Sequence, residues 1–243
     1  DLFEGGHIKE VPIFLTVVDI KIRRREMEKV NITSLADIEA LEKVPFDERL
    51  TATNTYDILK EGAAINPDAT AISFMLTGAT YTSPMQITYR ELMSQITRTA
   101  NLFHDLGIGT NDVVSYLLPN LPHTHYVLWG GEAAGIVNPI NPMLEAGTIR
   151  DICQAAGTKV LVALGEVEGS DIWQKVIAIR DDLPDLKAIV RIFGPSDEKE
   201  GIFGFDEVLP KYNGDRLDSG RVIQPSDRAS MYHTGGTTGT PKL

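Results

Sequence analysis

The sequence predicts an α/β protein built on a doubly wound, mostly parallel sheet flanked by helices. Three observations point there. Short β-branched runs alternate with helix-length amphipathic segments from about residue 69 to residue 193, the pattern of successive βαβ units. Two of those runs, Val113 to Leu118 and Lys159 to Leu164, are apolar almost throughout rather than alternating, as strands covered on both faces are. Finally, 42% apolar and 23% charged residues in a chain of 243 supply a sizeable core and rule out a disordered chain.

Residues 1–50 read as an N-terminal extension with little pattern. Val11 to Ile20 is apolar but interrupted by Pro12 and Asp19, and it is too short to span a membrane. Lys21, Arg23, Arg24, Arg25 and Lys29 cluster with Glu26 and Glu28, which reads as a solvated face. Ser34 followed by Asp37, with Leu35, Ile38 and Leu41 behind, predicts a short capped helix stopped by Pro45. From Thr51 to Leu243 the pattern is that of one domain. A helix over Tyr56 to Ala64 starts at Asn54 or Thr55 and ends at Asn66-Pro67-Asp68. Strands at Ala69 to Met75 and Met85 to Thr88 follow. Thr88 and Glu91 form a capping box, and Leu92, Ile96, Thr99, Phe103 and Leu106 then share one helical face, closed by Gly107.

The alternation continues with a strand at Val113 to Leu118, a helix at His123 to Ala134 and a short strand at Ile136-Val137. A helix at Leu144 to Ala156 closes at Gly157. A strand at Lys159 to Leu164, a helix at Ile172 to Arg180 and a strand at Lys187 to Phe193 come next. Residues 194–226 are rich in Gly, Pro, Asp and Lys, with a helical fragment near Phe205 to Leu209. Arg228 to Tyr232 reads as a last strand that delivers its carboxyl end into a terminal loop. Within these elements Cys153 reads as a small buried hydrophobe, and Tyr126 and Trp129 as core. Gly130-Gly131 inside a helix is compensated most simply by close helix-to-sheet packing. His123 and His125, two apart, are badly spaced to share a metal and read as surface or cap positions.

Charge narrows the partners. Lys plus Arg number 23 against 34 Asp plus Glu, a net charge of −11. That balance argues against nucleic acid and against an anionic membrane surface, which need a basic face. No integral membrane segment is readable. The single cysteine excludes an internal disulfide framework and a multi-cysteine zinc site, and it suits a cytoplasmic protein.

The chemistry is carried by Met231-Tyr232-His233-Thr234-Gly235-Gly236-Thr237-Thr238-Gly239-Thr240-Pro241-Lys242. Three glycines let the backbone approach a ligand closely. Four threonine hydroxyls add neutral donors, Lys242 adds a positive charge, and consecutive amides in such a turn form an anion-binding concavity. A loop at the carboxyl end of a strand is also where doubly wound sheets place ligands. The Walker pattern is excluded, because Pro241 precedes Lys242 and Leu243 follows it.

Thr234 through Lys242 resembles, position for position, the phosphate-binding signature Thr-Ser/Gly-Gly-Thr-Thr-Gly-x-Pro-Lys of the adenylate-forming (AMP-binding) enzymes, which include acyl-CoA synthetases. Gly235 in place of the commoner serine resembles the fatty-acyl-CoA ligases. His233 stands where many members carry an aromatic residue or threonine, and it reads as a loop-packing residue. Upstream, Ile87 to Leu92 resembles the family's Thr-Tyr-x-Glu-Leu helix start. Asn101-Leu102-Phe103, Leu106 to Gly109 and Asp112-Val113-Val114 resemble its Ala-Asn-x-Leu…Gly-Ile-x-x-Gly-Asp-x-Val stretch. Leu118-Pro119-Asn120 and Gly135 to Pro142 resemble the strand ends that follow.

The resemblance implies a large adenylation domain and a two-step reaction. ATP activates a carboxylic acid, fatty acids being favoured, to an acyl-adenylate; coenzyme A then takes the acyl group. It assigns Thr234, Gly235, Gly236, Thr237, Thr238, Gly239 and Lys242 to the ATP phosphates, with Mg2+ as companion ion and Lys242 as an electrostatic stabiliser. No catalytic residue and no protein metal ligand is identified in this stretch. The family's Tyr-Gly-x-Thr-Glu stretch, ribose-binding aspartate and adenylation lysine fall beyond Leu243. The expectation is therefore an N-terminal portion that cannot complete a turnover alone. An amino-acid or aryl-acid adenylating enzyme is the alternative, as is a non-catalytic truncated binding protein. A homodimer is left open.

Overall fold

The computed structural model describes residues 31–45, 48 and 50–234, and it divides the chain into Asp1–Arg49 and Leu50–Leu243. The apolar run and the basic cluster read within residues 11–29 lie outside the described residues. In the first unit, helix α1 (Leu35–Glu42) carries the expected capping box: Ser34 accepts from the Asp37 amide while Asp37 reaches back to the Ser34 amide. Asp37 also accepts from the Thr33 amide and from the Thr33 and Ser34 hydroxyls, and these bonds to its carboxyl, the Thr33 amide contributing most, hold it down at about 2.

The second unit opens with α2 (Thr55–Ile65), capped by Asn54, and an antiparallel hairpin of β1 (Thr70–Phe74) and β2 (Met85–Thr88). Thr88 and Glu91 then start α3 (Tyr89–Asp105) with both bonds of the capping box. Substituting Thr88 with alanine removes one of them, and we expect a loss of about 1 kcal/mol, read as a lowered urea midpoint at constant slope; an unchanged midpoint contradicts this.

The remaining elements are β3 (Val113–Leu117), α4 (Pro122–Ala134), β4 (Ile136–Pro139), α5 (Ala146–Ala156), β5 (Thr158–Leu164), α6 (Ile172–Ile179), β6 (Ala188–Ile192), β7 (Ile202–Gly204) and α7 (Phe205–Val208). β3 to β7 form one parallel sheet in the order β4-β3-β5-β6-β7. The chain first steps from β3 to β4, then crosses back over β3 to β5 and continues outward. Right-handed crossovers put α4 on one face and α5 and α6 on the other, and α4 packs on α3 while α5 packs on α6. β3 is buried along its whole length and β5 nearly so, as their largely apolar runs require. Gly157, with φ +66°, closes α5 in the left-handed region.

Three expectations need correction. β7 appears where the sequence reads only as irregular, because a three-residue strand is too short to show a period. Arg228 to Tyr232 is not a full strand: it meets the sheet through a single parallel bridge, Ser230 to Val137. The Gly130-Gly131 pair splits its task. A Cβ on Gly131 would meet the Val137 side chain of β4 at 3.1 Å, as helix-to-sheet packing predicts, but one on Gly130 would lie 2.7 Å from Thr99 Cβ. Gly130 therefore lets α3 and α4 approach each other.

Candidate functional site

All strands of the main sheet run parallel, so their carboxyl ends share one edge, the ligand side of this architecture. The segment that enters the Gly/Thr-rich loop is brought to that edge beside β4. The Val137 amide donates to the Ala229 carbonyl at 2.9 Å, and the Met231 amide donates to the Val137 carbonyl at 2.9 Å. Beyond them the Asn141 amide, just past the end of β4, donates to His233 Nε2 at 3.3 Å. His233 thus ties the loop entry to the neighbouring strand end, in keeping with a packing role. Its Nε2 must be unprotonated to accept this bond.

Of the residues assigned to phosphate by sequence, Thr234 is the one the structure describes, and it is exposed, directly after this anchored stretch. Gly235, Gly236, Thr237, Thr238, Gly239 and Lys242 lie outside the described residues. Among the described residues no group of three or more His, Cys, Asp or Glu side chains could hold a metal ion.

A cleft of about 560 Å³ opens on the same edge of the sheet. Phe74 and Met85 of the hairpin, Tyr126 of α4, and Phe193 and Phe205 beyond β6 and β7 give it an apolar lining. His123 belongs to this wall, which corrects its reading as a surface or cap residue. Only 16% of its side chain is exposed, Nε2 lies 3.2 Å from Asp206 Oδ1, and Phe193 meets its ring edge-on at 4.9 Å. The hydrogen bond from His123 holds the Asp206 carboxyl below its usual range. Sequence spacing missed this because the partners arrive from other strand ends. Phe193 also has φ +60°, an unfavourable conformation for a bulky side chain.

Within the sheet a polar trio is buried: the Ser115 and Thr158 hydroxyls are 2.6 Å apart, and the Asn138 amide donates to Ser115 at 2.9 Å. Cys153 is buried nearby, and burial pushes its thiol up to about 11, as its reading as an unreactive hydrophobe requires.

Glu132 is a buried carboxylate in α4, and burial raises it above the usual range even though the Thr55 hydroxyl donates to it at 2.7 Å. A carboxyl raised by folding binds its proton more tightly in the folded chain. Its stabilising contribution is therefore complete below the unfolded value and is lost as pH rises through the folded one. Glutamine keeps the acceptor oxygen and removes the charge. We expect Glu132→Gln and the parent chain to be equally stable near about pH 4, with the variant gaining the advantage as pH rises toward neutrality. Urea midpoints across pH measure this; a constant or reversed difference contradicts it.

A parallel sheet with helices on both faces, and a chain segment held at its carboxyl edge just before a Gly/Thr-rich stretch, define a doubly wound α/β protein with its ligand side at that edge. The chain belongs to the AMP-binding enzyme family, whose pattern matches residues 59–243. It is 31% identical over 222 residues to the marinolic acid–CoA ligase of a Pseudoalteromonas strain, covering 91% of this chain and 34% of that protein. It is 26% identical to the long-chain-fatty-acid–CoA ligase of Bacillus subtilis, covering 82% and 37%. The fold matches a solved anthranilate–CoA ligase bound to anthranoyl-AMP with a TM-score of 0.62, at 21% identity, over 77% of this chain and 33% of that one. A Mycobacterium tuberculosis fatty acyl-CoA synthetase matches with 0.61, at 19% identity, over 78% and 33%. The chain thus spans about a third of the length of these relatives. No helix among the described residues is long and apolar enough to cross a membrane.

Proposed function

We propose that this chain is the phosphate-binding portion of an ATP-dependent acid–CoA ligase that activates an aliphatic, fatty-type carboxylic acid. The single observation that carries the reading is the ordered run Thr234 to Lys242, set within a family match that extends from residue 59 to residue 243. The carboxylate oxygen bonds to the α-phosphorus of ATP, the bond from that phosphorus to the bridging oxygen breaks, and pyrophosphate leaves with the electron pair. The difficulty is one anion attacking another. The amides of Gly235, Gly236 and Gly239 and the hydroxyls of Thr234, Thr237 and Thr238 donate to the β- and γ-phosphates, and the Lys242 ammonium offsets their charge. Magnesium would come with the nucleotide, bound to its phosphate oxygens. The coenzyme A sulfur then bonds to the acyl carbon, the bond from that carbon to the adenylate oxygen breaks, and AMP leaves with the electron pair.

A fatty-type acid is favoured over an aryl or amino acid by Gly235 and by the Bacillus subtilis relative, a long-chain-fatty-acid–CoA ligase. The single cysteine and the acidic balance suit the cytoplasm, where we place the protein, and we assign the adenylation and thiol-transfer steps to the protein that contains this chain rather than to these 243 residues alone. ATP–pyrophosphate exchange over a panel of acids tests the reading. Exchange is expected with medium and long aliphatic acids; exchange confined to aryl or amino acids would overturn the substrate class.

A further inference from the structure

We propose that Asn101 and Arg221 are positioning residues for the phosphate loop: they fasten residues 212–228 to α3 and α4 and so fix where residues 229–231 meet β4 and how Thr234 leaves the sheet. The proposal rests on the reading of Thr234 to Lys242 as a phosphate site. The topology makes such fastening necessary. α7 follows β7 at one edge of the sheet, whereas residues 229–231 bond to β4 at the opposite edge. The chain must therefore travel across the whole sheet, and between residues 212 and 228 it has no helix or strand to guide it. An irregular segment of this length carries a large ordering cost unless side chains tie it down.

The ties are specific. The amide group of Asn101, 4% exposed, donates to the carbonyls of Asn213 and Arg216, both at 2.9 Å, and accepts from the Asp218 amide at 2.9 Å. One side chain thereby closes three backbone groups over a six-residue stretch. Beside it Arg98 donates to the carbonyls of Pro210 at 3.0 Å and Tyr212 at 2.8 Å, and the Tyr212 hydroxyl donates to Asp105 at 2.7 Å. Gly214 lies so close to α3 that a Cβ there would fall 2.1 Å from Ser94 Oγ. Further along, the Arg221 guanidinium donates to the Ala133 carbonyl in the last turn of α4 at 3.1 Å and to Asp227 at 3.0 Å. Both side chains of that pair are largely buried, 8% and 16% exposed.

Only Arg228 separates Asp227 from Ala229, the first residue bonded to β4. Two peptide units allow little slack, so the place of Asp227 sets which residue faces Val137. A shift by one residue would turn every following side chain to the opposite face and would carry Tyr232, His233 and Thr234 with it. Asn101 and Arg221 therefore act through the strap; neither is placed against the phosphates.

Hydrogen exchange followed by NMR on the 243-residue chain tests this without any nucleotide, at the Val137 and Met231 amides that join the strap's end to the sheet. In Asn101→Ala we expect protection at these two amides to fall roughly 100-fold, the effect of releasing two or three backbone bonds, while Tyr116, Val162 and Val190 keep theirs. Asn101→Asp retains the acceptor for Asp218 but turns a buried carboxylate toward the carbonyls of Asn213 and Arg216, so a local loss at least as large as in Asn101→Ala is expected. Arg221→Met should act like Asn101→Ala, and Arg216→Ala, which removes a side chain 79% exposed and bonded to Asp218, should change neither amide. Unchanged protection at Val137 and Met231 in Asn101→Ala and Asn101→Asp overturns the proposal. So does a loss shared equally by the central strands, because that is the mark of a residue that merely stabilises the fold. A loop that binds no phosphate would leave these exchange rates as they are and would sink the functional reading instead.

Discussion

Replacing Lys242 with alanine is expected to lower acid-dependent ATP–pyrophosphate exchange about 10²–10³-fold in the protein that contains this chain. The physical ground is the charge that the reaction concentrates. The departing pyrophosphate carries more negative charge than the same atoms bear within ATP. An ammonium fixed beside it therefore gains most as the bond to the α-phosphorus breaks. Amides and hydroxyls from the glycines and threonines remain in the variant, so some activity persists. Because the gain is greatest at the transition state, the loss should fall mainly on kcat, with a smaller rise in the KM for ATP. Lys242→Arg keeps the charge but replaces a compact ammonium with a rigid fork, and a partial loss is expected. Exchange by Lys242→Ala at the parent rate would remove Lys242 from the phosphate site.

Phe103→Ala should cost about 3–5 kcal/mol of unfolding free energy. Phe103 is fully buried on α3, at the core-facing positions it shares with Ile96, Ala100 and Leu102, and its ring reaches toward Gly131 on α4. Gly131 cannot fill the space a truncated ring would leave, and β4 behind it is held by backbone bonds, so the cavity persists. Domains of this kind are stable by only about 5–15 kcal/mol, which makes this loss a large fraction of the whole. Leu35→Ala on α1, where Leu35 is 69% exposed, should cost little. Urea unfolding distinguishes the two, and a Phe103→Ala loss below about 1 kcal/mol would contradict the core described for α3.

What the sequence made legible follows the range of the interactions involved. The capping boxes at Ser34 and Thr88 are complete within four residues, and the left-handed closures at Gly107 and Gly157 need only their own backbone. β3 and β5 announce themselves because burial on both faces leaves a largely apolar run. The proposed phosphate signature is local for a related reason: cradling an anion requires glycines, hydroxyls and a cation in a fixed order along the chain. Longer-range facts are hidden. His123 looks like a helix-start polar residue until Phe193 and Asp206 arrive from distant strand ends, and the i, i+2 spacing from His125 speaks only of its own helix. Gly130 looks like a cost within α4 until Thr99 of α3 is placed against it. Asn101 binds groups more than 110 positions away; its place in a stretch that resembles the family's marks the residue, but the spacing within its helix says nothing of these partners. β7 owes its existence to pairing with β6, not to its own three residues.

The central claim, that Thr234 to Lys242 binds the phosphates of ATP, is tested most directly by titrating the isotope-labelled chain with magnesium-ATP, magnesium pyrophosphate and adenosine while following backbone amide resonances. The account predicts that the amides of Gly235, Gly236, Thr237, Thr238 and Gly239 shift with ATP and with pyrophosphate, that adenosine leaves them unmoved, and that Lys242→Ala weakens the response to both phosphate ligands. Loop amides that stay unmoved by millimolar ATP and pyrophosphate, or that respond to adenosine as strongly as to ATP, would contradict it.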